Sequence, residues 1–189
     1  MQERAPFTNP AELAAIARRL DRPVVLVGLM GVGKTTVGRR LANLLDRDFV
    51  DADEEIEEAA QMSISEIFAE FGEAYFRDGE RRVIARLIEE RHGVIATGGG
   101  AFVNEETRAL ILRQAIAVWI DADIATLVER TARRNSRPLL KQGDPKDILT
   151  RLYREREPFY SQAPIRVSSV DGPHLATASR ILEAIDQWL

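Results

Sequence analysis

The stretch GLMGVGKTT, residues 28 to 36, follows the apolar run VVLVG (24 to 28) and opens a segment of helical periodicity from Lys34 to Leu45. It matches G-x-x-x-x-G-K-[ST], with Gly28, Gly33, Lys34 and Thr35 at the defining positions. Each residue type has a task. Glycines let backbone N–H groups curl around phosphate oxygens, and the following helix adds its positive N-terminal end. Lys34 reaches the outer phosphates and Thr35 supplies a hydroxyl for Mg²⁺. Gly31, Val32 and Thr36 join them as candidate nucleotide contacts. A match set between a strand and a helix reads as a nucleotide-phosphate site and not as a structural turn.

Outward from this loop, short apolar runs alternate with helical patterns. VVLVG, DFVDAD (48 to 53), GVIATGGG (93 to 100), AIAVWID (115 to 121) and PIRVSSV (164 to 170) read as five buried parallel strands. Lys34 to Leu45, Arg81 to Glu90 and Asp123 to Arg134 read as helices between them. Parallel strands need crossover connections, so the pattern predicts a three-layer α/β/α sandwich with ligands beyond the carboxyl ends of its strands.

A chain of 189 residues, 45% hydrophobic, suits one domain with a sizeable core. The net charge of −4 gives no basic footprint for nucleic acid, which is not an expected partner. Cysteine is absent, so thiolate chemistry and disulfides are excluded, and two His leave little for an imidazole metal cage. No membrane or export segment is expected from the first residues, and the composition suits the cytoplasm. Instead, NPAELAAIARRL predicts an amphipathic helix, with Asn9 as N-cap, Pro10 at the first position and Leu13, Ile16, Ala17 and Leu20 on one stripe.

Asp51 and Asp53 stand two apart, so on a strand they share a face; alternatively, they mark a polar strand end entering the acidic first turn of a helix. The run GVIAT carries no terminal Asp, which leaves Asp51 as the candidate metal ligand beside the phosphates. Gly98, Gly99 and Gly100 cost entropy and contribute no packing. They are either a flexible loop or a place where a polar acceptor approaches bare N–H groups. Arg77, in AYFRDGER, offers positive charge nearby, whereas Arg81 and Arg82 read as solvated. Arg130, Arg133, Arg134 and Arg137 crowd a helix end and its following loop, more than dipole compensation requires. Arg137 is the candidate for a loop that closes over ATP and neutralises charge on the transferring phosphoryl group.

Jointly, GLMGVGKTT, the D-x-D of Asp51 and Asp53, FRD (76 to 78), TGGG (97 to 100), RPLL (137 to 140) and REREPFY (154 to 160) resemble shikimate kinase over about residues 23 to 170. The resemblance implies transfer of the γ-phosphoryl group of ATP to the 3-hydroxyl of shikimate, with Mg²⁺, by a monomer on the route to aromatic amino acids. It implies that Asp53 binds the ring hydroxyls and serves as the candidate base, that Arg77 and Arg156 hold the carboxylate and that Gly98 to Gly100 line the same pocket. It also implies that Arg137 lies on a lid and that Arg130 flanks the adenine. Lys34, Asp53 and Arg137 are thus the catalytic candidates, and Thr35 with Asp51 the metal candidates.

The expected organisation is a helical extension (1–22) and a kinase domain (23–189), with a substrate segment near 54–83 and a lid near 133–147. In the substrate segment Ile56, Ile64, Ile67, Phe68 and Phe71 read as packing residues, with Phe71 and Phe76 as alternative flanks for the acceptor ring. Two rivals carry different predictions. A gluconate or nucleoside monophosphate kinase would share the phosphate loop without the combination of FRD, TGGG and R-x-P-x-Y (156 to 160), and a nucleotide switch would have no use for acceptor-binding residues.

Overall fold

The computed structural model describes residues 9–133, 143–169 and 174–189. Among these the apolar runs become five strands, β1 (Val24–Val27), β2 (Phe49–Asp51), β3 (Val94–Ala96), β4 (Ile116–Asp121) and β5 (Ile165–Ser168). All pair in parallel, in the order β2-β3-β1-β4-β5. Every residue of β1 and β4 is buried, as strands covered on both faces require.

Eight helices are described: α1 (Pro10–Arg19), α2 (Lys34–Leu44), α3 (Ala52–Ala60), α4 (Ile64–Glu89), α5 (Glu105–Gln114), α6 (Ile124–Ala132), α7 (Pro145–Tyr160) and α8 (His174–Trp188). None of the described helices is long and apolar enough to cross a membrane. Their starts follow local chemistry. Asn9 caps α1 by accepting from the Ala11 N–H at 3.0 Å, and Ser63 and Glu66 form a reciprocal capping box at α4. Asp144 and Pro145 open α7.

The predicted N-terminal helix buries Ile16, with Leu20 just beyond its end and Leu13 and Ala17 packed against the same core. Arg47 closes its C-terminal end, donating to the carbonyl oxygens of Ala17 at 2.7 Å and Leu20 at 2.9 Å. Arg19 pairs with Asp186 of α8 at 2.5 Å. The extension is therefore packed into the domain.

A satellite core lies between α3 and α4, where Ile56, Ile67 and Phe76 are buried with Met62, Ile64 and Phe68 around them. Within α4, Gly72 leaves helical geometry at φ 83, which kinks a helix that runs from the expected substrate segment on through the helix predicted from Arg81. Phe71, expected to pack, is 46% exposed and stacks on Tyr75 with ring centroids 4.5 Å apart. Phe76 is a packing residue of the satellite core.

Strand register places the site. Leu26 of β1 and Asp51 of β2 both pair with Ala96 of β3. Two residues on from these partners stand Gly28, Asp53 and Gly98, so the phosphate loop, the second aspartate and the glycine triplet leave the sheet at one level.

Candidate active site

The phosphate loop turns between β1 and α2 on positive-φ glycines at 28, 31 and 33. At Gly28 a β-carbon would lie 2.4 Å from the Ile120 carbonyl oxygen, so only glycine brings β1 this close to β4. Lys34 folds over the loop, its Nζ donating to the carbonyl oxygens of Gly28 at 2.6 Å and Leu29 at 2.9 Å. The cation therefore sits inside the turn that the motif assigns to phosphate.

The D-x-D pair converges by a route the strand reading did not anticipate. Strand β2 ends at Asp51, which caps α3 by accepting from the Asp53 N–H at 3.0 Å. Asp53 thus projects from the first helical turn, and the pair is both a strand end entering a helix and a site. The other Asp51 oxygen accepts from Thr35 Oγ1 at 2.7 Å. This hydroxyl and carboxylate at the start of α2 fit Mg²⁺, which binds through few protein oxygens together with substrate phosphates.

Asp53, half-buried, lines an adjoining pocket against Gly98. Burial raises its pKa to about 6; the Asp51 charge adds to that effect, and Lys34 opposes it.

The glycine triplet is the wall of that pocket, and each glycine has its own reason. A β-carbon at Gly98 would stand 2.8 Å from Asp53 Oδ1, one at Gly99 3.2 Å from Arg156 Nη1, and one at Gly100 2.4 Å from Arg77 Nη2. Functional side chains from α3, α7 and α4 thus press on three successive glycines. The flexible-loop reading does not account for this.

Arg77 is aimed by a residue that sequence reasoning missed. Glu80, 1% exposed, accepts from Arg77 Nη1 at 2.7 Å. Burial raises the Glu80 pKa, against the pull of Arg77. The guanidinium also lies over the Phe76 ring at 5.1 Å. The available signal was the i, i+3 spacing in FRDGE, which puts Glu80 on the same helical face as Arg77.

On the nucleotide side, Arg130 donates to the Ser169 hydroxyl at 2.9 Å and the Val32 carbonyl at 3.3 Å, which holds it beside the loop. His174, which the sequence reading did not single out, borders Gly33. Gly31, Val32, Gly33, Lys34, Thr35 and Thr36 are contiguous at the turn into α2. Arg137, Arg134 and most of the expected lid lie outside the described residues.

Together, the described residues form a cationic phosphate cradle next to a pocket with one carboxylate, two guanidinium groups and a shelf of bare backbone. That arrangement suits a small hydroxylated anion facing a nucleoside polyphosphate.

A family model described as shikimate kinase matches residues 30–186. The chain is 62% identical to a shikimate kinase of Novosphingobium aromaticivorans over 193 aligned residues, with both chains covered completely. It is 56% identical to one of Caulobacter vibrioides, covering 88% of this chain and 83% of that relative. The shikimate kinase of Acinetobacter baumannii, solved in complex with shikimate, superposes with a TM-score of 0.83 at 37% identity, covering 88% of this chain and 93% of that one. A gluconokinase from Sinorhizobium meliloti, 16% identical with a TM-score of 0.61, shares the fold alone.

Proposed function

This chain belongs to the shikimate kinase family, and we propose that it divides its reaction between the two aspartates, Asp51 serving the nucleotide and Asp53 the acceptor. The reaction transfers the γ-phosphoryl group of ATP to the 3-hydroxyl of shikimate, giving shikimate 3-phosphate and ADP. One observation carries the division: Asp51 bonds to Thr35 of the phosphate loop at 2.7 Å, while Asp53 lies against Gly98 in the acceptor pocket.

Shikimate is a ring bearing a carboxylate and hydroxyls. Arg77 and Arg156 hold the carboxylate, because a planar guanidinium makes parallel charge-assisted hydrogen bonds to it. The N–H groups of the glycine shelf donate to the remaining oxygens. Asp53 receives the hydroxyl that attacks, and its raised pKa leaves it mostly ionised at neutral pH yet more basic than an ordinary aspartate. It orients that hydroxyl and takes its proton.

Phosphoryl transfer depends mainly on alignment and charge neutralisation. Lys34 leaves the carbonyls of Gly28 and Leu29 for the outer phosphates of ATP, and the N–H groups of the loop hold the rest. Arg137, chosen from its place in RPLL, neutralises charge from the lid, and Arg130 borders the base. Thr35 and Asp51 would hold Mg²⁺, which when bound offsets negative charge on the β- and γ-phosphate oxygens. A monomer, implied by the family resemblance, is the proposed state, and the cytoplasm, where ATP is supplied, the proposed compartment.

Coupled measurement of ADP release, with shikimate, with gluconate and without an acceptor, tests the reading. Release that requires shikimate supports it. Release that requires gluconate, or that ignores the acceptor, overturns it.

A further inference from the structure

Tyr160, the last residue of α7, is 1% exposed, and its ring packs on Trp119 with centroids 5.9 Å apart. Its hydroxyl donates to the Gly99 carbonyl oxygen at 2.5 Å, across 61 residues of chain. The Arg156 guanidinium adjoins the same hydroxyl. One phenol thus bonds the backbone of the glycine shelf and lies near the arginine assigned to the carboxylate.

A trans peptide is planar, with its C=O and N–H pointing in opposite directions. Fixing the Gly99 carbonyl toward α7 therefore turns the Gly100 N–H away from α7. Glycine peptides have no side chain to hold their orientation, so an outside anchor has a large effect on them.

We propose that Tyr160 is a positioning residue for the acceptor: its hydrogen bond to the Gly99 carbonyl locks the Gly99–Gly100 peptide plane with the Gly100 N–H facing shikimate, beside the Arg156 guanidinium that borders Gly99. The proposal rests on the functional reading above and adds a residue that touches no substrate. Burial raises the phenol pKa, so the hydroxyl remains a donor across the working pH range.

Tyr160→Phe removes the hydroxyl and keeps the ring on Trp119. Loss of one buried hydrogen bond from the shelf is expected to raise the KM for shikimate by about five- to tenfold. The KM for ATP should change less, within about twofold, since Lys34 and Thr35 keep their own anchors at the Gly28 and Leu29 carbonyls and at Asp51. A merely structural tyrosine would lower thermal stability and leave the two KM values in their wild-type ratio. A folded Y160F variant with an unchanged KM for shikimate overturns the proposal alone. Absence of shikimate-dependent ADP release from the wild type overturns the functional reading and the proposal with it. Should Y160F fail to fold, amide hydrogen exchange on the wild type decides: shikimate is expected to slow exchange at Gly99 and Gly100, and unchanged exchange there overturns the proposal.

Discussion

Arg77 stands so close to Gly100 that a β-carbon at Gly100 would lie 2.4 Å from its Nη2 atom. The clash is with the far end of a flexible side chain, so Gly100→Ala should fold and displace the guanidinium from Glu80. We expect the KM for shikimate to rise by at least about tenfold with the KM for ATP nearly unchanged. Steady-state kinetics with each substrate varied in turn checks this.

Arg77 pairs with Glu80 through Nη1 at 2.7 Å and with Glu73 through Nε at 3.6 Å, and in the proposed reading its remaining nitrogen meets the substrate carboxylate. A lysine ammonium, a single point, cannot reproduce that planar geometry. Arg77→Lys is therefore expected to weaken shikimate binding by about tenfold or more and to leave ATP binding nearly intact. Calorimetric titration of each ligand measures both affinities, and equal losses would contradict the assignment.

The phosphate loop and the parallel strands were legible because each is a local signal: glycine spacing in one case, apolar runs in the other. The α1 cap at Asn9 was equally local. Strand order was not legible, since it depends on which crossovers pack beside β1. The role of the glycine triplet was half legible. Its entropic cost signalled a close approach, but Asp53, Arg77 and Arg156 come from three different helices. Glu80 went unread because a lone glutamate in a helix has no pattern of its own, and Tyr160, though it closes the motif REREPFY, received no role; burial gives each its meaning.

Lys34 is bonded to two carbonyls within the phosphate loop. Lys34→Ala is expected to lower kcat by about a thousandfold or more, since it removes the main protein charge facing the transferring group. A coupled ADP assay at saturating substrates checks this. Retained turnover would remove Lys34 from the mechanism.

Asp53 carries a pKa raised from 3.8 to about 6, so the folded chain binds its proton more tightly than the unfolded chain. Its contribution to stability is full below the unfolded value and is lost as pH rises toward the folded one; above that, the carboxylate costs the fold up to about 3 kcal/mol. Asp53→Asn should therefore melt above the wild type at pH 7 to 8, with the difference vanishing near pH 4. In the wild type, kcat/KM should fall as pH drops through about 6. Thermal melts and a pH–rate profile measure the two effects.

The division of labour between Asp51 and Asp53 is tested most directly by titrating Mg²⁺–ATP and shikimate separately into Asp51→Asn and Asp53→Asn. Asp51→Asn is expected to lose affinity for Mg²⁺–ATP and keep it for shikimate, and Asp53→Asn to show the reverse. If the two variants lose the same ligand, or each loses both equally, the two carboxylates do not serve separate halves of the reaction.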